Sequence, residues 1–142
     1  MGTKYVGGDV HSQFTAFVVL DCEGKLLFQT EVPTRAAELE SFAQSLGGDA
    51  CVAVEEGTQA LWLFGVMNPL VREMMVCDPR HVAQVANRVC KSDFRDAWEL
   101  AEGARAGVLR PVYKGYSEAV KVVHQMGVMA SCPGMYGGRR VA

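Results

Sequence analysis

Apolar and polar residues alternate along the first thirty positions, and from there the spacing becomes helical. Lys4–Val10 (KYVGGDV) reads as a short strand ending in an acid, with Tyr5, Gly7 and Asp9 on one face and Lys4, Val6, Gly8 and Val10 on the other. Phe14 to Leu20 alternates as a second strand, DCEG (Asp21 to Gly24) is a turn, and Lys25 to Val32 reads as a third strand. Together these make an antiparallel meander. Pro33 and Thr34 break the pattern, with Thr34 placed to cap a helix whose Leu39, Phe42 and Leu46 lie opposite Arg35, Glu38 and Glu40 and which Gly47 and Gly48 stop. Cys51 to Val54 is a fourth strand, again closed by an acid, Glu55. Ala60 to Met67 is apolar nearly all round, as in a helix packed between layers, and Asn68 and Pro69 end it. Met74 to Cys77 is a fifth strand, and Asp78 and Pro79 open a helix to about Ala86. After a basic connector, Asn87 to Ser92, a helix capped by Ser92 and stopped by Gly107 puts Asp93, Asp96, Ala97, Leu100 and Ala104 on one stripe, which should face the sheet. Strands alternating with helices in this second half imply parallel strands covered by helices, an α/β layer fold with a meander at its start. Ser117 to Ala130 reads as a last helix, followed by a glycine-rich, loose end.

Composition narrows the class. The 142 residues are one domain's worth, and 49% hydrophobic with 21% charged residues is a globular balance. No apolar run approaches the roughly 18 residues of a membrane span and no signal peptide is visible, so a cytoplasmic location without membrane contact is expected. Five widely spaced cysteines, without a CxxC pair, are expected to be reduced and mostly buried rather than zinc ligands. A net charge of −2 does not advertise a nucleic-acid binder, although acids gathered around cations would be counted in that total.

The acids carry the candidate chemistry. Asp9 is either a turn residue at a solvent-facing strand end or a group held there for a cation, and Asp93 and Asp96 could simply favour the positive end of a helix dipole. The dipole does not explain why both lie on the packing stripe. Parallel strands present their C-terminal ends together, so Asp9 and Glu55 would meet the start of the helix bearing Asp93 and Asp96. Four converging carboxylates repel unless cations join them. Two magnesium ions, or manganese, about 4 Å apart would relieve that repulsion and clamp the attacking and leaving oxygens of a phosphodiester, as in DNA strand cleavage.

Three segments, KYVGGDVHSQFTAFVVLDCEGKLL, VAVEEGTQALWLF and CDPRHVAQVANRVCKSDFRDAWELAEGARAGVLRPVY, resemble in order and spacing the N-terminal domain of the DEDD transposases of the one-ten insertion-sequence family. The resemblance covers roughly Lys4 to Tyr113. It implies a ribonuclease H-like (RuvC-like) fold with a mixed five-stranded sheet and helices on its faces. It also implies metal-dependent DNA cleavage and strand transfer, with a bridge RNA as guide and a homo-oligomer as the working assembly. The family's acids fall on Asp9, Glu55, Asp93 and Asp96, as catalytic residues and metal ligands; Glu56 is set aside because its side chain should point to the other face. Gly8 departs from the family's usual large aliphatic residue, and a cavity beneath the site is expected there. Arg80, Arg88, Lys91 and Arg95 are candidates for nucleic-acid backbone contacts, with a solvated charged face as the alternative. His11 is either a surface turn residue or a phosphate contact. Trp62 and Trp98 are expected in the core or an interface.

On this reading residues 1–114 form the catalytic domain and 115–142 a helix and tail, with the family's coiled coil and serine-bearing second domain absent. Ser131 lacks a supporting base and is not taken as a nucleophile. The sequence leaves two other functions open. One is a truncated, inactive remnant that only binds nucleic acid or a partner protomer. The other is an actin-like kinase fragment, for which VHSQ supplies only Ser12 of the phosphate hairpin.

Overall fold

The computed structural model describes residues 2–78 and 94–112. Five strands form one sheet in the order β3-β2-β1-β4-β5: β1 (Lys4–Val10), β2 (Phe14–Leu20), β3 (Leu26–Pro33), β4 (Ala50–Glu55) and β5 (Glu73–Cys77). β2 runs antiparallel to β1 and to β3, whereas β4 pairs parallel with β1 and β5 parallel with β4. The sheet is therefore mixed, with the acid-ended strand β1 at its centre.

Register decides which side chains share a face. Gly7 lies opposite Val18 on one side and Ala53 on the other, and Ala53 lies opposite Met75. Helix α3 (Arg95–Ala106) covers this face. Ala97 and Ala101 pack with Val18 and Leu20, and Leu100 packs with Ala53 and Cys77. Contact is at backbone distance: a Cβ added to Gly7 would lie 1.9 Å from the Ala97 carbonyl oxygen and 2.5 Å from the Ala101 nitrogen. Only glycine lets the helix sit this low.

The opposite face carries Phe17, whose ring stacks on Phe42 of α1 (Ala36–Ser45) with centroids 4.2 Å apart. Helix α2 (Ala60–Met67), continued by a 3₁₀ turn at Asn68–Leu70, packs against α1 and β5 and buries Leu63, Phe64 and Met67. It is not sandwiched between layers as its all-round hydrophobicity suggested, because Leu61 and Trp62 stand on an exposed side, 48% and 44% accessible.

Several expectations are corrected in detail. No cavity lies under Gly8: a Cβ there would meet the Phe17 ring at 2.8 Å and Val54 at 3.1 Å, so neighbouring side chains already fill the space a larger residue would take. Thr34 is not the cap of α1. Its hydroxyl donates to the His11 carbonyl at 2.8 Å and meets the Thr15 hydroxyl at 2.9 Å, which ties it to the β1–β2 turn and leaves Arg35 at the N-cap. β3 starts at Leu26 because Asp21 closes the turn, its carboxylate accepting the Lys25 N–H at 2.9 Å. Of the two tryptophans expected in the core or an interface, Trp62 is exposed and so lies outside the core, and Trp98 packs half-buried beside Val18 and Leu20. Of the cysteines, Cys22 is exposed, Cys51 half-buried and Cys77 buried, all as free thiols. The helices expected at Asp78 to Ala86 and Ser117 to Ala130, the Ser92 cap, Cys90 and Cys132 lie outside the described residues.

Candidate functional site

β1 and β4 run side by side in parallel, and the register that sets Gly8 opposite Val54 brings Asp9 and Glu55 to neighbouring strand ends. Both follow the parity of Gly7 and Ala53, so both emerge on the face that α3 covers. α3 enters over that rim. A cleft of about 160 Å³ opens there, lined by Gly8, Asp9, Glu55, Leu100 and the loop Glu56 to Gln59 that leads into α2. Glu56 stands at the start of that loop, its N–H donating to the Cys77 carbonyl at 2.9 Å.

The electrostatics of the rim are those of crowded acids. Burial pushes the Glu55 carboxyl above its ordinary value of 4.5, and the negative charges of Asp96, Asp9 and Glu99 push it further. Asp96 acts on Glu55 from an exposed position in the first turn of α3, not from the buried stripe expected of it. The buried side of the helix is set by Ala97, Leu100 and Ala101, because Gly7 draws those residues onto the sheet. Asp93 lies outside the described residues. The Asp9 carboxylate, 24% exposed, bonds the His11 ring at 3.0 Å across the β1–β2 turn.

Glu99 is the site residue that was not anticipated. It is only 8% exposed and accepts a hydrogen bond from Arg95 Nε at 3.0 Å. The available signal was its place three residues beyond Asp96, which puts both acids on one side of the helix. Of the candidate nucleic-acid contacts, Arg95 lies half-exposed beside the rim with one nitrogen on Glu99, and Arg80, Arg88 and Lys91 fall outside the described residues. Burial, followed by the Glu55 charge, pushes the Cys77 thiol up to about 12, so it stays protonated and is a poor metal ligand or nucleophile.

Carboxylates are the donors a hard divalent cation takes, and their mutual repulsion is the state such an ion relieves, so the donor set fits magnesium in kind. Among the described residues, however, no three His, Cys, Asp or Glu side chains are gathered closely enough to hold an ion as they stand.

A pH effect follows from Glu55. Between the unfolded value near 4.5 and the higher folded value, the folded chain keeps a proton that the unfolded chain has released. Metal-free stability should therefore fall as pH rises through that window. Glu55→Gln is expected to remove this part of the dependence, read as the difference between wild-type and variant urea melts in chelator from about pH 4 to about pH 8. Parallel curves would show that Glu55 titrates normally.

A mixed sheet in this strand order, with acids closing its two central parallel strands and a helix crossing the face they share, defines a ribonuclease H-like domain of RuvC type. The fold is similar to that of T. thermophilus RuvC, solved in complex with a Holliday junction substrate, with a TM-score of 0.57 at 16% identity over 78% of this chain and 99% of that one. The chain belongs to the DEDD transposases of the IS110 family, whose sequence model, described as transposase, matches residues 6–125. A slighter likeness, to the ethanolamine utilization protein EutJ from Carboxydothermus hydrogenoformans, has a TM-score of 0.38 at 17% identity, covering 59% of this chain and 40% of that one. No curated protein matches the chain. No helix among the described residues is long and apolar enough to cross a membrane.

Proposed function

We propose that this chain supplies the metal-dependent DNA cleavage and strand-transfer centre of an IS110-type transposase, with Asp9, Glu55, Asp93 and Asp96 as the ligands of two magnesium ions. The observation that carries the reading is the crowding of acids around Glu55: burial and the charges of Asp96, Asp9 and Glu99 all oppose its ionisation. An added divalent charge makes that arrangement favourable. When bound, the two ions supply a nucleophilic water or hydroxyl and stabilise the leaving oxygen of the phosphodiester. Asp9 and Glu55 give the site a rigid floor because both stand at the ends of hydrogen-bonded strands. Asp96 would complete it from the exposed first turn of α3.

Arg80, Arg88, Lys91 and Arg95 are the proposed backbone contacts, and Arg95 is oriented for that role by Glu99. Residues 1–114 would form the catalytic domain and 115–142 a helix and tail, and the working assembly would be a homo-oligomer with a bridge RNA as guide. Family membership supports the DNA substrate, the RNA and the assembly.

Thermal melts with and without magnesium or manganese test the centre directly. A ligand bound only by the folded chain at about 100 times its Kd adds about 2.7 kcal/mol, a Tm rise of about 5 °C or more for a domain of this size. Wild type is expected to show that rise and Asp93→Asn to lose most of it. If neither protein responds, the acids hold no cation and the chain is a module that only binds nucleic acid or a partner protomer. The pairing of Asp9 with His11 is the observation that favours this second reading.

A further inference from the structure

The β1–β2 turn, which carries His11 beside Asp9, is held from a distant part of the chain. Within the turn the His11 N–H donates to the Phe14 carbonyl at 3.0 Å. Two further bonds come from Thr34, at the junction of β3 and α1. Its N–H donates to the Gln13 carbonyl at 3.1 Å and its hydroxyl to the His11 carbonyl at 2.8 Å. Thr34 reaches the turn because β2 and β3 pair as far as Phe14 and Pro33, so the residue after β3 lies beside the residues before β2.

The direction of the buried hydroxyl pair follows from donor counting. A threonine hydroxyl has one proton, and a carbonyl can only accept. The Thr34 proton is committed to the His11 carbonyl, so the 2.9 Å contact between the two hydroxyls is Thr15 donating to Thr34. Thr15 is fully buried and Thr34 is 9% exposed, so little water competes for these bonds. They form a directed chain from β2 through Thr34 to the His11 backbone.

His11 passes that constraint to the acid. Its ring bonds Asp9 Oδ2 at 3.0 Å and leans on the Phe14 ring, with centroids 5.1 Å apart. The His11 side chain is 51% exposed, too open for packing alone to fix it, so its orientation depends on where the turn backbone places it. The tie does not close Asp9 to an ion. A carboxylate has two oxygens, and a ring on Oδ2 leaves Oδ1 to serve the cleft that Asp9 lines.

We propose that Thr34 is a positioning residue for Asp9: its hydroxyl, set by Thr15, clasps the His11 carbonyl so that the His11 ring holds one Asp9 oxygen and leaves the other to a divalent ion. The ion in this proposal rests on the reading of the rim as a magnesium centre. Thr34 itself acts through His11, without touching ion or DNA.

Magnesium titrations of the full 142-residue chain, followed by thermal melts, test it together with NMR signals of the His11 ring and the Asp9 carboxyl at one fixed pH without metal. Thr34→Val keeps the shape and removes the hydroxyl. It is expected to move both signals and to weaken magnesium binding about tenfold, as loss of an outer-shell partner does. It also strands the buried Thr15 hydroxyl, so some stability is lost with it. Adding Thr15→Val to Thr34→Val removes the stranded donor and should regain stability without regaining magnesium affinity, which a merely structural role would not do. Thr34→Ser keeps the hydroxyl and should bind magnesium within about threefold of wild type. In His11→Ala, where the ring is gone, adding Thr34→Val should weaken magnesium binding no further. The proposal is overturned if Thr34→Val binds magnesium like wild type, or if the double valine variant regains affinity along with stability, since Thr34 then supports the fold alone. Should wild type show no magnesium response, the metal reading falls and the NMR signals still judge the clasp. Signals unmoved in Thr34→Val overturn it, and signals that move there and return in Thr34→Ser uphold it.

Discussion

Asp9→Asn is expected to lower metal-dependent DNA cleavage by about a thousandfold or more in a transposase carrying this domain, without unfolding it. Asparagine has the size of aspartate and keeps an oxygen for the His11 contact, now made at 3.0 Å, so the β1–β2 turn should survive. What is lost is the negative charge at the end of the central strand. Electrostatic stabilisation through bound cations is worth several kcal/mol, and about 4 kcal/mol corresponds to a thousandfold in rate. The same substitution removes one of the three negative charges that raise Glu55, so the Glu55 carboxyl should move back towards its ordinary value. Cleavage assays and carboxyl titration by NMR read the two effects separately. Activity within about tenfold of wild type would exclude Asp9 from the centre.

Gly7→Ala should be the most destabilising single-methyl change in the described part of the protein. The added carbon would sit 1.9 Å from the Ala97 carbonyl oxygen, a backbone atom that no rotamer change can move. Relief requires lifting α3 off the sheet, which loosens the contacts of Ala97 and Ala101 with Val18 and Leu20 and of Leu100 with Ala53. Overpacking of this kind costs on the order of 3 kcal/mol. Gly65→Ala is the matched control: nothing lies within 4 Å of its added carbon, and in the interior of α2 it should be neutral or stabilising by up to about 1 kcal/mol. Urea midpoints of the two variants check the contrast. Lifting α3 also carries Asp96 and Glu99 away from Glu55, so Gly7→Ala should blunt the magnesium response. Equal midpoints would mean that the helix is not seated on β1 as described.

Much of this architecture is legible in local pattern. Alternation marked β1 and β2 at their observed limits, and the apolar run Ala60–Met67 coincides with α2. Gly107 ends α3 in the left-handed conformation, φ 72°, that only glycine adopts without strain. Asp9 and Glu55 were recognisable because each closes a run of strand residues, and parallel pairing brings such ends together. The errors share one cause. Thr34 looks like a cap until the β1–β2 turn, more than twenty residues earlier in the chain, claims its hydroxyl. Gly8 looks like a void until Phe17 from the neighbouring strand occupies the space.

The sequence by itself determined the described strands and helices and their order, because strand alternation, helical spacing and turn chemistry act over a few residues, and the likeness of three segments gave the family. Only the tertiary structure decided which residues meet. The low seat of α3 on Gly7 turns Ala97, Leu100 and Ala101 inward, leaves Asp96 at the open rim and buries Glu99 beside Glu55. Among the described residues, strand order gives the outer edge of β3 no partner strand, while residues 110–112 cover β5. Such proximities depend on register and docking between segments far apart in the chain, and no local period encodes them.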